Sequence, residues 1–171
     1  MIDKPKWIPN AESESIRHWT ENLRSEAQRL LIQDGTHASL LFFFNKEIGL
    51  ISVNPVPLNI DHEELNAAVA NAVNEHELYG VIFISETWAY FMKEKEDHTA
   101  FQLLDGEMKV SDLNAEDKKE ALMVRMENSD EDCLIYLDEI IRDKNGVYLK
   151  ECLVTGSSQK KWFIYQADTL K

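Results

Sequence analysis

The sequence predicts an α+β fold, with two helices packed on a mostly antiparallel sheet of about six to seven strands in the order α-β-β-α-β-β-β-β-β. Three observations predict it. Apolar residues recur at helical spacing in two separate segments. Short runs rich in Val, Ile, Leu and Phe lie between those segments and after the second. The later runs are joined by short turns, which favour antiparallel neighbours.

Each element has its own signals. Residues 1–9 read as an N-terminal arm, with Pro5, Trp7 and Pro9, ahead of a single α+β domain over residues 10–171. A helix is expected from Asn10, a capping residue, to Gln33. Ile16, Trp19, Leu23, Ala27, Leu30 and Leu31 form its apolar stripe, and Asp34-Gly35 ends it. His37–Phe44 (HASLLFFF) and Ile48–Val53 (IGLISV) read as strands. The first is apolar on both faces and therefore central or covered by helices. Asn54-Pro55-Val56-Pro57 cannot continue a central strand, because proline lacks the ladder N–H. Asp61, with Glu64 three residues on, opens a second helix in the manner of a capping box. Leu65, Ala68, Val69, Ala72 and Val73 form a small-residue stripe suited to close packing on a sheet.

Val81–Met92 (VIFISETWAYFM) is the next strand and is expected to be the best buried. Residues 93–117 are polar, with a turn at Asp105-Gly106. Ala121–Glu127, Cys133–Arg142, Val147–Val154 and Lys161–Tyr165 complete the strands, although residues 114–126 also contain good helix formers. This order places the helices on one side of the sheet, and it is similar to that of roadblock and profilin-like domains. With Asn145-Gly146 as a hairpin loop, Cys152 faces Glu139 rather than Cys133, so a disulfide is not expected.

Composition bounds the function. The chain has 171 residues, 44% hydrophobic and 29% charged, as in ordinary globular proteins. Eighteen Lys and Arg stand against 31 Asp and Glu, a net charge of -13. Such a surface repels phosphate backbones and anionic membranes, so neither nucleic acid nor membrane is an expected partner. The start MIDKPKWIPN has no apolar signal region, and the apolar runs are too short to span a bilayer. A cytoplasmic location is expected, and two cysteines suit it.

The residue that raises a chemical question is Glu86. Strand alternation puts it on one face with Ile82, Ile84, Trp88 and Tyr90. An unpaired buried carboxylate is costly, so Glu86 needs a partner. Arg125 and Arg142 are the candidate cations, and Tyr136 or Trp88 the candidate hydrogen-bond donors. Pairing with an arginine in a core satisfies that need, and so does a strand that emerges into solvent near Ser85. The alternative is a general acid or base beside an aromatic wall.

Ser85-Glu86-Thr87-Trp88, followed after a polar loop by Lys119-Glu120-Ala121-Leu122, resembles a loose group of prokaryotic and phage proteins of uncharacterised activity. These share an S-E-x-W strand and a later K/R-E strand start. The resemblance covers about the middle third of the chain and implies that Glu86, Trp88 and Glu120 act together, with Lys119 and Glu120 bracketing Glu86.

Other chemistry lacks a signature. His62-Glu63 and His76-Glu77 do not complete HExxH, there is no CxxC, and no metal or other cofactor is expected. Asn128, Asp130, Asp132 and Glu139 match positions 1, 3, 5 and 12 of an EF-hand loop. Cys133 stands where that loop needs glycine, and LIYLDEII favours a strand, so an acidic turn is expected instead. Gly156-Ser157-Ser158 is neither a nucleophile elbow nor a phosphate loop.

Two functional classes survive. The first is a non-enzymatic binding or assembly module acting through a protein partner or a homo-oligomer, with Trp88 and Tyr90 as binding residues. The second is a small, hydrolase-like enzyme with Glu86, Glu120 and Arg125 as candidate catalytic residues and Trp88 as pocket wall.

Overall fold

The computed structural model describes residues 16–47, 49–91, 96–130, 133–155 and 162. The expected arm, the Asn10 cap and most of the expected strand at Lys161–Tyr165 lie outside these residues. The described helices are α1 (Ile16–Asp34), α2 (His62–Glu75) and α3 (His98–Leu104). The strands are β1 (Leu40–Asn45), β2 (Gly49–Pro55), β3 (Gly80–Ala89), β4 (Lys119–Asn128), β5 (Cys133–Asp143) and β6 (Gly146–Thr155). They form one six-stranded sheet in the order β2-β1-β3-β4-β5-β6, antiparallel at every pairing. This is the α+β fold read from the sequence.

The order follows from the strands' chemistry. β1 and β3 are apolar on both faces and sit at the centre with β4. β2 carries Pro55 opposite Leu40 and lies at an edge, where a missing N–H interrupts no second ladder. β2 and β3 flank β1 and run in the same direction, so the chain must cross β1 between them. α2 makes that crossing.

The helices therefore take opposite faces, not one side. Ile16, Trp19, Leu23, Ala27 and Leu31 of α1 bury against Phe42, Phe44, Ile82, Ile84, Leu122, Val124 and Met126. Leu65, Val69 and Val73 of α2 bury against Leu41, Val81 and Phe83 on the other face, together with Trp162. A sheet whose central strands are apolar on both sides cannot leave either bare, at about 1.5–3 kcal/mol for each large side chain removed from water. Gly80 lets α1 approach closely, since a Cβ there would stand 2.1 Å from Ile16 Cδ1.

Smaller differences are local. Ala70 is buried in α2 and Ala68 is exposed. Asp61 caps α2 by accepting from the Glu63 N–H at 3.3 Å. The polar segment after β3 contains α3, capped by Asp97, and a 3-10 turn at Val110–Asp112. Residues 119–126 belong wholly to β4, because the sheet offers ladder partners on both sides. The β5–β6 hairpin pairs Asp143 with Gly146, so Lys144-Asn145 is the loop, and a bulge leaves Cys152 between the partners of Leu137 and Asp138. Cys133 pairs in register with Glu127 of β4 and is buried.

Candidate functional site

β3 outlasts its cover. Ile82 and Ile84 lie under α1, but α1 ends at Asp34, with Gly35 at φ 80 and its N–H bonded to Leu31 O at 2.8 Å. Only glycine takes that left-handed turn without strain. The next two residues of β3 on the same face, Glu86 and Trp88, thus emerge beyond the helix end. The Glu86 side chain is 28% exposed and Trp88 is 51% exposed.

Arg142, near the end of β5 and on the same face, reaches this point. Its Nη2 donates to Glu86 Oε1 at 2.7 Å, and its Nε donates to Glu120 Oε2 at 2.8 Å. Its Nη1 donates to Gly35 O, the carbonyl just past the end of α1. One guanidinium therefore ties β3, β4, β5 and α1 together, with the fork geometry that suits arginine to such pairing. Glu86 Oε2 accepts a long bond from the His37 N–H at 3.4 Å. Glu120 stands directly opposite Trp88 across the β3–β4 ladder. Lys118 places its Nζ 5.0 Å from the centre of the Trp88 ring. Thr36, Glu86, Thr87, Trp88, Glu120 and Arg142 line an open cleft of about 320 Å³.

The expected residues separate here. Glu86, Trp88 and Glu120 come together. Arg125 does not join them, because it points to the opposite face, where its Nε donates to Glu127 Oε2 at 2.9 Å. Lys119 pairs with Ala89 and is likewise on that opposite face, so it does not bracket Glu86. Tyr90 lies past the end of β3, and its hydroxyl donates to Asp97, the cap of α3. Tyr136 serves Arg24 instead, whose guanidinium sits 4.3 Å from its ring centre.

Two buried ion pairs escaped the sequence reading. Glu127 is fully buried, shared between Arg125 and the Trp162 N–H at 3.1 Å. Asp138 is also fully buried and accepts from Arg24 Nη2 at 2.6 Å, Arg24 Nε at 3.1 Å and Gln28 at 3.0 Å. Burial works against the charged Arg24, yet its bonds to Asp138 outweigh that and hold its pKa above the ordinary value. Asp138 had a legible signal, since it alternates with Leu134, Tyr136 and Ile140 on a buried face. Lys118 and Thr36 had none, because loop conformation puts them at the cleft.

The acidic segment at Asn128 joins β4 to β5. Asp130 accepts the Tyr79 hydroxyl at 2.8 Å, and Glu139 sits on β5 opposite Ala121. Among the described residues, no three or more His, Cys, Asp or Glu are grouped to hold a metal ion, and no helix is long and apolar enough to cross a membrane.

In comparison with known proteins, a family model described as bacteriophage lambda protein ea47 matches residues 2–167. No curated protein and no solved structure matches.

Proposed function

We propose that this chain, which belongs to the bacteriophage lambda protein ea47 family, is a non-enzymatic binding or assembly module that docks a protein through the Trp88 cleft. The observation that carries the reading is a half-exposed tryptophan beside a fixed Glu86–Arg142–Glu120 frame. A large aromatic side chain left in water at the rim of an ordered polar cluster is a feature of interface hot spots. The frame is rigid because four elements share one guanidinium, so little ordering cost falls on binding. A cytoplasmic setting accords with a chain of only two cysteines, one of which, Cys133, is buried.

The enzyme reading has a cleft of suitable size, but the described residues lining it include no histidine or cysteine to work beside a carboxylate, and Glu86 and Glu120 each give one oxygen to Arg142.

Position-specific photo-crosslinking tests the proposal. A benzophenone amino acid replaces Trp88 in one variant and Lys46, at the far end of β1, in another. Discrete protein adducts from position 88 alone are expected, to a second copy in the purified protein or to another protein in cells. Adducts from neither position, or equally from both, would overturn the docking role.

A further inference from the structure

Resting on that docking role, we infer that the partner presents a basic segment, one of whose lysine or arginine side chains takes the place of Lys118 on the Trp88 ring. The chain already shows what the ring accepts. The ammonium of Lys118, from the loop before β4, sits 5.0 Å from the ring centre, within the distance at which a cation is attracted to an indole face. This contact is half in solvent and contributes little, so a partner's cation can replace it.

The surroundings fit the same chemistry. Arg142 uses one oxygen of each carboxylate. Glu86 Oε2 is left with the 3.4 Å bond from His37, and among the described residues Glu120 Oε1 accepts no hydrogen bond. A guanidinium or ammonium over Trp88 reaches towards these acceptors, because Glu120 is the direct cross-strand neighbour of Trp88. The net charge of -13 adds long-range attraction for a basic partner and repulsion for an acidic one. Lys118 thus acts as an internal competitor that lowers affinity for stray cations.

The test uses the full chain and three capped decapeptides of glycine and serine, carrying three arginines, three lysines or three glutamates. Binding is followed by NMR at the Trp88 indole N–H, assigned with W88F. Saturable shifts centred on Trp88 are expected with the two basic peptides and none with the acidic one. W88A, which lacks the indole and is followed at the backbone amides of Glu86 and Glu120, should bind at least fivefold more weakly, and its distant resonances check that it stays folded. The decisive variant is K118A, expected to bind about threefold tighter because the competing cation is gone. K46A is the control: Lys46 makes a like contact, 5.8 Å from the Tyr79 ring centre, at the far end of the sheet. Equal tightening by K118A and K46A would reduce the effect to net charge and overturn the inference. Shifts spread over the acidic surface, untouched by W88A, would overturn it too. If no basic peptide binds while position 88 still cross-links to a protein, the partner's chemistry is wrong and the docking site stands.

Discussion

Glu127 and Glu86 are both carboxylates paired with an arginine, and solvent separates their roles. Glu127 is fully buried, with Arg125 beside it at 5% exposure, so removing its charge strands a guanidinium in the core. Glu127→Gln should cost about 3–5 kcal/mol in urea unfolding. Glu86 and Arg142 are both partly in water, where an ion pair contributes little, and Glu86→Gln should cost less than about 1 kcal/mol. Similar losses for the two variants would refute the distinction. Tyr136 gives a pH test. Burial, with some help from Glu21 and against Arg24 and Arg17, pushes its phenol above the ordinary tyrosine range. The folded state then keeps a proton that the unfolded state has released. The resulting stability is fully present below pH of about 10 and is lost as pH rises towards the folded value. Ultraviolet titration should show a late-ionising tyrosine that disappears in Tyr136→Phe, and that variant should lose less stability in this window. A tyrosine titration unchanged by the substitution would contradict the burial.

At the scale of elements, the length of α1 relative to β3 creates the site. Leu31 is the last buried residue of α1, and the face of β3 beyond it opens into the cleft. On the other face, Trp162 holds α2 to the sheet. Its indole N–H donates to Asn66 Oδ1 at 3.1 Å, and its ring meets Phe83 edge-on at 6.4 Å between centres. Trp162→Ala should cost about 3–5 kcal/mol. Hydrogen exchange should quicken in α2 more than in α1, whose core shares none of these contacts. Equal effects on the two helices would mean that Trp162 is not specific to that face.

Over the whole molecule, the dominant electrostatic fact is the charge of -13. Salt weakens local attractions such as Arg142–Glu86, and it also screens the mutual repulsion of the excess carboxylates. Among the described residues the exposed pairs are few and weak, whereas the repulsion sums over the whole surface. The melting temperature should therefore rise between about 10 mM and 150 mM salt, as the screening length falls from about 30 Å to 8 Å. A fall would show that local pairs outweigh the net charge.

The sequence by itself determined the fold class and most elements, because helical spacing, strand alternation and turn residues are local. It also marked Glu86 as needing a partner, since alternation fixes its face regardless of strand order. The tertiary structure alone decided which cation answers it. Arg125 and Arg142 looked equivalent as residues of neighbouring strands, and only register put Arg142 on Glu86's face and Arg125 on the other. It alone decided that the helices divide between two faces, since that depends on β3 joining β1 on the side away from β2. The physical reason is the same in both cases. Periodicity is a property of a segment, while pairing, register and cover are properties of segments far apart in the chain.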